Sequence, residues 1–297
     1  MIPLEVIKFI WNHPANQGRR LRTVLRAIRW KCHRLMRDTP RLVPIFHAMQ
    51  LKCYPSSYGA GVMIATNGWP DYDEMHFIQR YLRPGDAFVD IGTNIGIFTL
   101  FSSGIVGPSG YVLGLEANRR SFDRLIENIQ LNDLNNIVDA RCEAVGPENG
   151  TIRFLKGRDL TNRIVTDAEQ GKAGVEFDEV PCVRIDSLLS QRNFAMGKID
   201  IEGAEPMAFR GATQALQIGN PPVWMMELKS HLLTRFDSSP EKVRDMLLEF
   251  DYRLATYDAN QNRLTFSEQP WEGHGDVLAI HFPSLPEIQS RLDQSSA

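Results

Sequence analysis

Cysteine is scarce and scattered: Cys32, Cys53, Cys142 and Cys182 are the whole supply in 297 residues, and no two form a C-x-x-C pair. That pattern indicates neither a zinc knuckle nor a disulfide framework, so a reducing, cytoplasmic setting is expected. Long apolar runs are missing too, and no stretch is long enough to span a bilayer. The start, Met1-Ile2-Pro3-Leu4-Glu5, carries an early acid and no sustained apolar segment, unlike a secretory signal. There is no internal repeat and no low-complexity tract. A strong excess of one charge is absent: the net charge of −3 argues against bulk nucleic-acid affinity.

One local absence points the other way. Residues 19–37 carry eight basic side chains and no acid. With apolar spacing at Leu21, Val24, Leu25, Ile28 and Leu35, the segment reads as a basic amphipathic helix. Such a helix either lies on an anionic membrane surface or acidic partner, or packs on the domain with a solvated basic face.

At 43% hydrophobic content the chain can bury a full core, as one large α/β domain plus an appendage. The expected division is a basic helical extension (1–58), a main domain (59–285) and a short, poorly ordered tail (286–297). Within the main domain the key stretch is Phe88-Val89-Asp90-Ile91-Gly92-Thr93-Asn94-Ile95-Gly96. An apolar run ends in a carboxylate, two glycines follow, and Ile97, Leu100, Phe101 and Ile105 then repeat at helical spacing. A second apolar run, Tyr111 to Leu115, ends in Glu116, an acid at the tip of the next strand, suited to a ribose diol.

The missing third glycine decides which nucleotide. A dinucleotide needs G-x-G-x-x-G, so that its pyrophosphate can approach the backbone at a helix N-terminus. Here Asp90 stands where the first glycine would be. A carboxylate repels pyrophosphate but suits the amine-bearing tail of S-adenosylmethionine. Further along, Ser121 to Leu131 reads as a helix with Ser121 as N-cap, and 137–145 as a strand. Glu143, near that strand's end, is placed to accept from an adenine amino group, or is an exposed loop carboxylate. Short alternating runs at 151–155 and 180–185 suggest added strands around a polar segment, 156–174, which would cover the substrate.

A second cluster, Lys198-Ile199-Asp200-Ile201-Glu202-Gly203-Ala204-Glu205, puts carboxylates at another strand tip, and Val223 to Leu228 forms a further buried-type strand containing Glu227. Crowded acids repel one another, which calls for protonation, a cation, or pairing with Lys198, Lys229 or His231. At the C-terminus, Leu254 to Tyr257 and Asp276 to Phe282 read as strands with no clear helix between them, hence an antiparallel pair.

These motifs together resemble the FkbM family of S-adenosylmethionine-dependent methyltransferases, over about residues 85–230. Asp90-x-Gly92-x-Asn94-x-Gly96, Glu116-Ala117-Asn118 and the cluster from Lys198 to Glu205 carry the resemblance, with Ala117 where the family often has proline. It implies a Rossmann-like, mostly parallel seven-stranded sheet with a terminal antiparallel hairpin and helices on both faces. It also implies O-methylation of a hydroxyl on a sugar, glycan precursor or natural product. Asp90, Gly92, Asn94, Gly96, Glu116, Asn118 and Glu143 are then the cofactor-binding candidates. Asp200, Glu202 and Glu227 are the catalytic ones, with His231 in reserve. No residue is assigned as a metal ligand, although Mg2+ held by Asp200 with Glu202 or Glu227 would lower the hydroxyl pKa. An NAD-dependent oxidoreductase or epimerase and a non-catalytic scaffold are the rival classes.

Overall fold

The computed structural model describes residues 3–155, 177–272 and 276–294; the segment 156–174 expected to cover the substrate lies outside the described residues. In chain order the strands are β1 (Arg41–Pro44), β2 (Gln50–Cys53), β3 (Ala87–Ile91), β4 (Tyr111–Leu115), β5 (Val138–Arg141), β6 (Ala144–Val145) and β7 (Gly150–Leu155). There follow β8 (Phe177–Val183), β9 (Met196–Ile199), β10 (Val223–Glu227), β11 (Tyr252–Asp258), β12 (Arg263–Phe266) and β13 (Asp276–His281). The first six α-helices are α1 (Leu4–Asn12), α2 (Arg20–Met36), α3 (Tyr58–Ala65), α4 (Tyr72–Tyr81), α5 (Ile97–Val106) and α6 (Arg119–Leu131).

The central sheet runs β12-β11-β13-β10-β9-β3-β4-β5. Its middle is parallel, from β10 through β9, β3 and β4 to β5, and β13 runs antiparallel to both of its neighbours. Parallel strands are covered on both faces, which is why β3 and β9 are buried along their whole length. Two apolar cores result. Phe88, Phe101 and Met225 lie in one, and Val89, Phe209 and Trp224 in the other, alternating along the strands as a period of two requires. The strand order reverses between β3 and β9, and at such a reversal the loops at the carboxyl ends diverge and leave a crevice.

Several expectations need correction. The 137–145 strand is two pieces: β5 closes the main sheet, while β6 joins β8 and β7 in a separate three-stranded sheet. The sheet has an eighth strand, β12, inside the connection between β11 and β13. The N-terminal extension is not purely helical, since β1 and β2 form an antiparallel hairpin, and the side chains of Asn128 on α6 and of Asn132, its C-cap, accept from the Lys52 and Gln50 backbone N–H groups.

The tail is not loose through residue 294. Leu285–Gln294 is a helix whose Ile288 and Leu292 are fully buried and whose Arg291 donates to Asp86 at 2.6 Å. The i, i+4 spacing of Ile288 and Leu292 was available in the sequence, but two apolar residues do not announce what they will pack on.

Candidate functional site

The crevice lies at the carboxyl ends of β3, β4 and β9, and Gly92, Asn94, Glu116, Glu143, Asp200 and Glu202 all line it. Its tightest point is Gly92, at φ +83°. A Cβ there would stand 2.0 Å from the Asp200 carbonyl oxygen, so only glycine lets the turn after β3 cross the end of β9. Gly96 closes the turn and leads into α5; a Cβ there would meet Leu125 Cδ1 of α6 at 2.6 Å.

Glu116 is held by this turn. Its Oε2 accepts from the Asn94 backbone N–H at 2.8 Å and its Oε1 from that of Asn118 at 2.7 Å. Each oxygen keeps a lone pair for a further donor. Burial pushes the Glu116 carboxyl up to about 7, against the pull of those two N–H groups. Glu143 Oε2 is buried in the same crevice with no hydrogen-bond partner among the described residues, an acceptor with room for a donor.

Asp90 sits one layer behind. It is 1% exposed, does not line the crevice, and its Oδ2 accepts from Thr99 Oγ1 at 2.6 Å, tying β3 to α5 beneath the glycine turn. Asn118 is the N-cap of α6, its side chain accepting from the Ser121 backbone N–H. That replaces the expected cap at Ser121, which lies within the first turn of the helix.

On the other side of the crevice the chemistry changes. Asp200 follows β9 and is held at 3.0 Å by Lys198 Nζ, which is itself buried. Burial acts to lower the Lys198 pKa, but Asp200, Asp276 and Asp90 together raise it, so the ammonium stays charged. Glu202 holds a left-handed backbone (φ +57°), and burial first, then Asp200 and Glu227, lift its carboxyl above the usual range. Glu227 is raised by burial and by Asp200 while paired with Lys229.

Two acids here escaped the sequence reading. Asp276, register partner of Glu227 across the β10–β13 ladder, is raised to about 6 by burial. Asp71, at the N-terminus of α4, is raised by burial and moderated by Lys198. Neither sits in a local motif; an antiparallel register and a helix start bring them in. Glu205 serves the backbone, accepting from the Ile201 and Gly203 N–H groups at 3.0 and 3.3 Å. His231 is exposed and does not line the crevice. Among the described residues no group of three or more His, Cys, Asp or Glu side chains is arranged to hold a metal ion.

Counted in chain order without the edge strand β12, the seven remaining strands of the central sheet read 3-2-1-4-5-7-6, with the seventh antiparallel. That order, with a glycine turn after the first strand and an acid after the second, defines the Rossmann-like methyltransferase class. The model of the FkbM methyltransferase domain matches residues 90–254, more than half of the chain, and the chain belongs to that family. No curated protein matches in sequence.

Solved structures similar to this chain include an FkbM methyltransferase from Methylobacillus flagellatus (16% identity, TM-score 0.43, 75% of this chain), of which the chain spans 55% of the length. A SAM-dependent O-methyltransferase from Thermotoga maritima matches at 11% identity and TM-score 0.40, over 71% of this chain and 64% of its own. An O-methyltransferase from Bacillus cereus, solved with SAH, matches at 16% identity and TM-score 0.37, over 73% and 86%.

Proposed function

We propose that the protein transfers a methyl group from S-adenosylmethionine to a hydroxyl of a sugar, glycan precursor or natural product. The observation that carries the reading is the pairing of two unlike half-sites across one crevice. Glu116 and Glu143 offer buried acceptors beside a glycine turn, and Glu202 stands opposite with a raised pKa. The residues fit the cofactor's parts: Glu116 takes the two ribose hydroxyls on its outward lone pairs, and the unpartnered Glu143 Oε2 takes the adenine amino group. Gly92 and Asn94 of the turn line the crevice beside them, where the methionine part would lie, with Asp90 stiffening the turn from beneath.

When bound, S-adenosylmethionine supplies an electrophilic methyl group on a sulfonium centre. The protein's task is to orient the acceptor hydroxyl and take its proton. Glu202 is the base in this reading, because burial and its acidic neighbours raise its affinity for a proton. Asp200, paired with Lys198, orients the hydroxyl, with Glu227 and its Lys229 partner behind it.

The test is titration of the protein with S-adenosylhomocysteine, beside a Glu116→Gln variant, followed by an acceptor screen of glycosides with magnesium and with EDTA. Binding weakened about tenfold or more in the variant is expected, since hydrogen bonds to a charged group are worth about 1.5–3 kcal/mol. Heat from NADH in place of S-adenosylhomocysteine would transfer the protein to the oxidoreductase class. Cofactor binding without turnover on any hydroxyl acceptor would favour the scaffold.

A further inference from the structure

Helix α2 carries two stripes on opposite sides. Thr23, Ala27, Trp30 and His33 are buried against the rest of the protein. Leu21, Leu25, Ile28 and Leu35 follow the same helical spacing about half a turn away, and all four are exposed, Leu21 by 71% and Leu35 by 78%. The periodicity that suggests a core-facing helix in the sequence belongs largely to the outward stripe. Leu4, Val6, Phe9 and Trp11 on α1 are exposed as well, so nine of the fifteen exposed large hydrophobic residues among those described fall within residues 4–36.

At 100° per residue, Arg22 and Arg29 flank the outward stripe on one side and Arg20 and Lys31 on the other. A second copy of the same face would set four like charges against four, whereas an anionic surface would be drawn to them. Beside the stripe, a groove between α1, α2 and α3 is walled by Val6, Phe9, Leu35 and Ala65, with Lys31 and Arg34 along it. Trp30, 6% exposed, lines it with an Nε1–H that has no acceptor among the described residues.

We infer that α1 and α2 seat the protein on the surface of an anionic lipid bilayer. Leu21, Leu25, Ile28 and Leu35 enter the level of the headgroup and acyl boundary, and the flanking arginines reach lipid phosphates. The groove accommodates one lipid, its chain along Val6 and Phe9, and its phosphate or ester carbonyl accepting from Trp30 Nε1. Among the described residues no helix is long and apolar enough to cross a membrane, in keeping with a helix that lies in the interface. Docking in this form is independent of whether the protein transfers a methyl group.

The experiment is flotation of the full chain with vesicles of phosphatidylcholine alone and with 30% phosphatidylglycerol, in low and high salt. Two variants accompany it, Leu21→Ser with Leu25→Ser and Arg22→Glu with Arg29→Glu, each first checked for an unchanged melting temperature and unchanged S-adenosylhomocysteine binding. The expected result is binding to the anionic vesicles only, weakened by salt as the Debye length shortens. The arginine pair should cost about 25-fold or more in partitioning and the leucine pair about tenfold. No flotation of the wild type would overturn the inference. So would flotation indifferent to the leucine pair, or a dimer in sedimentation that the leucine pair dissolves, which would assign the stripe to a second copy of the chain.

Discussion

The two sides of the crevice handle buried acids in opposite ways. On the β4 side, Glu116 is met by two backbone N–H groups and, among the described residues, by no ion pair, so its field remains available to a ligand. On the β9 and β10 side, Lys198 and Lys229 sit among Asp200, Glu227 and Asp276, so charge is cancelled inside the protein. The first arrangement suits recognition of donors. The second suits a site where a proton is to be held and moved, because burial raises Glu202, Glu227 and Asp276 above the usual carboxylate range.

If that contrast is correct, removing the cation should be the most damaging single change. Lys198→Met leaves Asp200, Asp276 and Asp90 without their shared partner, and a loss of about 3–5 kcal/mol is expected in urea denaturation. A loss under about 1 kcal/mol would show that those acids are already protonated and need no cation.

Glu202→Gln separates binding from chemistry. Turnover should fall about 10²- to 10⁴-fold with S-adenosylhomocysteine affinity unchanged. Equal losses in both would instead give Glu202 to the cofactor side.

Glu116 makes the recognition side pH-dependent. With its carboxyl near 7, hydrogen bonding from a diol to the ionised form should weaken S-adenosylhomocysteine about tenfold between pH 8 and pH 6. A flat calorimetric profile over that range would remove the ribose role from Glu116.

The smallest effect concerns stability. Burial and then Asp276 push Glu74 up from 4.5 to about 8, so the fold favours its protonated form. Its contribution is therefore full below about 4.5 and is lost as pH rises through about 8. Glu74→Gln should raise the melting temperature more at pH 9 than at pH 6, and the reverse ordering would contradict the sign.

Legibility in the sequence follows how local each feature is. Gly92, Asn94 and Glu116 were readable because a turn and a strand tip are set within a few residues. Asp90 was seen, but not its place: burial beneath the turn comes from α5 supplying Thr99. The outward stripe of α2 was visible as a period, yet which side of the helix packs is decided by what lies next to it. The helix Leu285–Gln294 escaped because Ile288 and Leu292 acquire meaning only once the core they join is assembled, and Arg291 only beside Asp86 and Tyr81.

By itself, then, the sequence determined the central parallel strands, the glycine turn, the acid at the tip of β4 and the basic tract with its eight cationic side chains, all consequences of short-range sterics and side-chain chemistry. The tertiary structure alone decided that Asp71 and Asp276 join Asp200 and Glu227, and that Lys198 serves several of them. Long-range pairing sets that gathering, because register across β10 and β13 fixes which side chains share a face, and the helix that starts at Asp71 is placed by packing rather than by any motif.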